Sequence, residues 1–320
     1  MKAVILAATL IAGSALAQTA APPRPANVTP EMLQAEAARR AKLNAVADTP
    51  GTGPYAAIKE ADPAFPDHVV YRPRALDAMG RRKLGVLVWG NGGCSDDGAS
   101  ARFHLAEIAS HGYFVIAPGK ILSGPGAPPP VAPATTGLGI KTTSEQVRAG
   151  IDWALAENAR KGSRYYRRID PRLIAVAGHS CGGLQALQVA GDPRIRAVII
   201  NNSGVFKDSG NPIRGITVDK SLLKTLHTPV VYILGGPTDL AYPNGTDDFA
   251  VIAHVPAMLL NIAVGHGGTF HEPNGGKVAQ VSVAWLDWQL RGDAAAGKWF
   301  AGKDCGLCKD PAWTVQRKGM

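Results

Sequence analysis

The stretch "AVAGHSCGGLQA" (175–186) sets a serine among glycines where an apolar run gives way to a helix-like sequence. Gly178-His179-Ser180-Cys181-Gly182 fits G-x-S-x-G in the strand-to-helix context of a nucleophile elbow. On so sharp a turn the serine hydroxyl projects above the sheet, and side chains two positions to either side would collide, hence the glycines. The bland alternative is a glycine-rich turn whose serine caps the helix. A serine hydroxyl is a weak nucleophile at neutral pH and needs a histidine to take its proton. Of the eight histidines, His266 in "NIAVGHGGTF" follows an apolar run between glycines, and His271 is its rival five residues on. His179 is expected to face away from the serine, and His104 and His111 fall on or beside a helix. The histidine in turn needs an acid to hold its tautomer and stabilise the imidazolium. Asp239 ends "VVYILGGPTD"; Asp247 and Asp248 are the alternatives, in an "NGTDD" that reads as a solvated turn. A tetrahedral intermediate also needs amide donors for its oxyanion. Cys181, directly after the serine, supplies one, and the glycine loop at Asn91 or Gly92 supplies the other.

These residues are useful only if strands bring them to one edge. "KLGVLVWG", "YFVIAPG", "LIAVAG", "IRAVIINNSG", "PVVYILGG" and "AMLLNIAVG" are apolar runs without polar alternation, the pattern of strands covered on both faces. Helical stretches separate most of them: "ARFHLAEIASHG", the Ser/Thr-capped "TSEQVRAGIDWALAENARKG", and "GGKVAQVSVAWLDWQLRGD" with Val278, Val281, Trp285 and Trp288 as a core stripe. "YAAIKE" and "HVVYRPR" read as a short antiparallel pair at the N-terminal edge. The expected fold is therefore α/β, with a mainly parallel central sheet and helices on both faces. In such sheets ligands sit beyond the carboxyl ends of the strands, where Ser180, Asp239 and His266 all fall.

The 320-residue chain opens with Met1-Lys2, then "AVILAATLIAGSALA", a short apolar core ending in small residues: a signal peptide over 1–17, cleaved near Ala17/Gln18. The core is too short to span a bilayer, so a secreted or periplasmic protein is expected. Residues 18–50 read as an Ala/Pro-rich arm with a short helix in "PEMLQAEAARRAKLNAVA", residues 51–300 as one domain, and residues 301–320 as a tail. The net charge of +9 is scattered apart from Arg81-Arg82-Lys83 and Arg164 to Arg168, with no nucleic-acid module. Export makes Cys94, Cys181, Cys305 and Cys308 disulfide candidates, with Cys305 to Cys308 as a local staple in the tail.

The chain resembles the α/β-hydrolase superfamily, within it the bacterial cutinase-like polyester hydrolases and the dienelactone-hydrolase-like esterases. "GTGPY", "GHSCGG", "ILGGPTDLAYPN", "VGHGGTF" and "WLDWQLRGD…WF" carry the likeness across residues 51–300. The order Ser180, Asp239, His266 is the order of that superfamily's triad. The polyester hydrolases usually carry Met where Cys181 stands and an aromatic residue where Asn91 stands. The family's sheet order makes the strands leading to Cys94 and Cys181 neighbours, which implies a Cys94–Cys181 disulfide tying together the two loops of the oxyanion donors. The resemblance implies an exported serine esterase that works through an acyl-enzyme, without cofactor or metal, on a small-molecule or polymeric ester. About two dozen residues between "IINNSG" and "PVVYILGG" leave no room for a large helical lid, which implies an open cleft suited to bulky or extended esters, while "GKILSGPGAPPPVAPATTG" reads either as a proline-stiffened wall that narrows the cleft or as a spacer with no substrate role. An acyltransferase or amidase using the same triad, and a non-catalytic binding protein on the same fold, are the alternatives.

Overall fold

The computed structural model describes residues 30–129, 139–207 and 211–320, with the side chains of 30–33 and 36 excepted. The expected signal peptide, residues 18–29 of the arm and residues 130–138 of the proline rim lie outside the described residues.

Among the described residues nine strands form one sheet in the order β1-β2-β4-β3-β5-β6-β7-β8-β9. β1 (Ala57–Ala61) and β2 (His68–Pro73) make the antiparallel N-terminal edge. β4 (Tyr113–Pro118), β3 (Leu84–Gly90), β5 (Ile169–His179), β6 (Ala197–Asn201), β7 (Val230–Leu234) and β8 (Ala257–Ile262) run parallel through the centre. Every residue of β3, β4, β6, β7 and β8 is buried. The reason is a core on each face: Val86, Val88, Ile174 and Val176 point to one, Leu87, Trp89, Ala175 and Ala177 to the other.

α3 (Ser144–Ala159) and α4 (Cys181–Val189) cover the first face through Val147, Ile151, Ala154, Leu184 and Leu187. α2 (Arg102–Ser110) and α6 (Gly276–Arg291) cover the second through Leu105, Ile108, Val278, Val281 and Trp285. α3 opens with a full capping box, Thr143 and Gln146 each satisfying the other's backbone N–H. The arm's helix, α1 (Pro30–Ala45), is anchored through its C-terminal end: the buried Arg102 guanidinium donates to the Leu43 and Val46 carbonyls and to Asp48.

Two features depart from the expectations. The C-terminal residues are not a plain tail, because β9 (Trp313–Lys318) pairs antiparallel with β8 and closes the second edge. "NGTDD" is not a solvated turn: it lies within the helix α5 (Tyr242–Val251), and Asp248 is fully buried. No helix among the described residues is long and apolar enough to cross a membrane.

Candidate active site

Ser180 sits between β5 and α4 at φ +53°, ψ −123°, outside the usual regions for a side-chain-bearing residue. The turn is tight enough for backbone to touch backbone. A Cβ on Gly178 would lie 2.1 Å from the Gly182 carbonyl oxygen, and one on Gly182 would lie 2.1 Å from Gly90 on β3. The glycines flanking the serine are thus required by the approach of β5, β3 and α4.

His266, not His271, is the histidine joined to both other groups. It lies in the loop after β8, where its Nε2 is 2.9 Å from Ser180 Oγ and its Nδ1 is 2.6 Å from Asp239 Oδ1. Because the carboxylate accepts from Nδ1–H, Nε2 presents its lone pair and Ser180 Oγ–H donates to it. Asp239, in the loop after β7, is held by four donors: His266 Nδ1 and the Ala241 N–H at Oδ1, Asn202 Nδ2 and the Gly235 N–H at Oδ2. Burial alone pushes the Asp239 carboxyl upward, but these hydrogen bonds prevail and bring it down to about 2. It is therefore a carboxylate at neutral pH. The alternatives do other work: Asp247 and Asp248 both pair with Lys220, and Asp248 also accepts from Tyr232 and the Val205 N–H.

The acid and histidine loops touch through glycine: a Cβ on Gly235 would lie 2.0 Å from the Gly265 carbonyl oxygen, and the Gly265 N–H donates back to Gly235. Cys181 begins α4, so its N–H belongs to the first turn, where amides have no partner within the helix. The Asn91 carboxamide donates to the Ser95 and Pro118 carbonyls, which fixes the loop after β3 and leaves that loop's amides, not the Asn91 side chain, as candidate donors. Cys94 and Cys181 are at disulfide distance, with Cα atoms 5.2 Å apart, as are Cys305 and Cys308. The first pair ties the Asn91–Gly92 loop to the residue after Ser180.

His179 lies against the loop of His266. Its Nε2–H donates to the His266 carbonyl at 2.8 Å, and its ring lies against Gly92 and 4.7 Å from the Phe270 ring. Burial lowers its pKa to about 4, so it is neutral at physiological pH. Asn202 and Ser203, just past β6, also reach the site: Asn202 bonds Asp239, and Ser203 Oγ donates to the Ser180 carbonyl at 2.6 Å. The sequence reading passed over both. Their only signal was position, two polar residues at the end of an apolar strand beside the one leading to Ser180. A cavity of about 320 Å³ near the arm, lined by Asp48, Lys59, Tyr71 and Arg102, includes none of these residues.

An imidazole held by a carboxylate and poised on a serine hydroxyl can accept the serine proton as Oγ attacks an electrophile. Compared with protein-family models and with curated proteins, the chain finds no match.

Proposed function

We propose that the chain is an exported serine hydrolase that cleaves carboxylic esters through an acyl-enzyme, on an α/β-hydrolase fold without a large lid. The observation that carries this reading is the Ser180–His266–Asp239 chain of hydrogen bonds, 2.9 and 2.6 Å long, on a serine held at positive φ in a tight turn. Six parallel strands with the three residues after three different strand ends support the fold, as does their order along the chain.

In the first half-reaction His266 takes the Ser180 proton while Oγ bonds to the ester carbonyl carbon. The carbonyl oxygen becomes an oxyanion facing the Cys181 N–H and an amide of the Asn91–Gly92 segment. Collapse of the intermediate breaks the C–O bond, and the His266 imidazolium, steadied by Asp239, gives its proton to the departing alkoxide. Water then repeats the sequence on the acyl-enzyme: His266 removes its proton, the carboxylic acid leaves, and the proton returns to Ser180 Oγ. Every group needed is present in the chain.

The test is turnover of p-nitrophenyl acetate, butyrate and octanoate, with labelling by a fluorophosphonate probe, for the wild-type protein and Ser180→Ala. Turnover in the wild type that drops at least about 10³-fold in the variant, together with loss of labelling, is expected. Equal turnover in both proteins, or none in either with no labelling, rejects the reading.

A further inference from the structure

The loop leaving β6 touches each member of the Ser180–His266–Asp239 chain or the residue beside it. Asn202 stands at φ +46°, is 2 % exposed, and its own N–H is bonded to the Ile233 carbonyl on β7. Its Nδ2 donates to Asp239 Oδ2 at 2.8 Å and to the carbonyl of Gly265, the residue before His266, at 3.1 Å. Ser203 holds the Ser180 carbonyl, and the Val205 N–H is bonded to the buried Asp248 on α5, so the loop is fixed from both ends.

Resting on the ester-hydrolase reading, we infer that Asn202 is a positioning residue: its carboxamide locks the acid loop to the histidine loop and keeps Asp239 Oδ1 aimed at His266 Nδ1. Of the four donors on Asp239, two are backbone amides from the acid's own loop and one is His266 itself. Asn202 is the donor that comes from a third element and also grips the histidine loop. A neutral amide suits the task. It orients the carboxylate without bringing a positive charge to compete with the imidazolium, and it cannot change protonation state with pH. Asparagine is also one of the few residues other than glycine that adopts the left-handed conformation readily.

Removing this donor frees Asp239 to turn off His266 Nδ1, which weakens the hydrogen bond that orients the imidazole. Titratable groups beside the pair include His179, bonded to the His266 carbonyl, and His271, whose charge acts on His179. Both are unchanged by substitution at position 202, so differences between variants report the carboxamide.

Asn202→Gly keeps the backbone conformation and removes the donor, while Asn202→Asp keeps the shape and turns an acceptor toward Asp239. For a p-nitrophenyl ester, kcat is expected to fall about tenfold in the glycine variant and further in the aspartate variant, with KM within about twofold. The His266 Nδ1–H proton resonance, which reports the bond to Asp239, is followed by NMR in the same proteins, a readout that needs no substrate. An Nδ1–H resonance that moves upfield or is lost to exchange in both variants supports the inference even if the wild type turns over no ester, in which case the hydrolase reading alone fails. An unmoved Nδ1–H resonance overturns the inference whatever kcat does, because a merely structural role lowers kcat without touching the Asp239–His266 bond.

Discussion

Gly90, Gly178 and Gly182 show at the residue scale why one sequence motif carries so much information. Each lacks room for a Cβ because the other backbones occupy that space. Gly178→Ala is therefore expected to cost roughly 1–3 kcal/mol, since backbone must move to admit the methyl group. Gly267→Ala, beside His266 but with nothing within 4 Å of the added Cβ, is expected to stay within about 0.5 kcal/mol. Urea denaturation of the two variants measures both. The Gly178 requirement was legible because it arises within five consecutive residues, against Gly182; that of Gly182 against Gly90 on β3 was not. His179 and Asn202 were not legible, because their partners His266 and Gly265 lie 87 and 63 residues further along the chain. No local pattern marks such a pair.

At the scale of elements, the apolar runs named every central strand, because a strand buried on both faces has no place for polar side chains. β9 escaped for the same reason in reverse. "WTVQRK" is an edge strand with half-exposed side chains, so its composition is mixed and its pairing with β8 cannot be seen locally. The Cys94–Cys181 link joins elements 87 residues apart and braces the loop after β3 against the start of α4. Closing a loop of that length constrains the unfolded chain by roughly 4–5 kcal/mol in the chain-entropy account. Replacing both cysteines with serine is expected to lower the melting temperature by roughly 10 °C. The same change at Cys305 and Cys308, three residues apart, is expected to cost far less, because it closes almost no loop. Thermal melts followed by circular dichroism compare the two.

Across the whole molecule, two buried carboxyl groups act on stability in opposite senses with pH. Asp239, held down to about 2 against an ordinary 3.8, contributes stability that is present above 3.8 and is lost as pH falls through about 2. Burial pushes Asp248 up to about 6, outweighing its hydrogen bond to Lys220, so the folded state holds a proton that the unfolded chain releases. Its contribution therefore declines as pH rises from 3.8 through about 6. Asp239→Asn is expected to flatten the fall in stability between about pH 4 and 2, and Asp248→Asn the opposing slope between about pH 4 and 6. Denaturant midpoints measured across pH for the variants and the wild type read each slope. The two basic clusters of the sequence meet on folding: Lys83 donates to the Arg167 carbonyl, while Arg168 pairs with Asp77.

By itself, the sequence determined the central strands, the helices that cover them apart from α5, the α/β class and the serine turn, because burial on two faces, helix caps and a crowded bend each leave a mark within a few residues. Ser180, Asp239 and His266 were named from their places at strand ends, and Cys94 with Cys181 from the likeness to a known family. Only the tertiary structure decided that His266 and not His271 reaches the serine, and that Asp239 rather than the buried Asp248 reaches the histidine. It alone brought His179 and Asn202 to the site and β9 to the edge of the sheet. Each of those outcomes depends on which loops lie side by side, and that follows from strand order and packing between residues far apart in the chain.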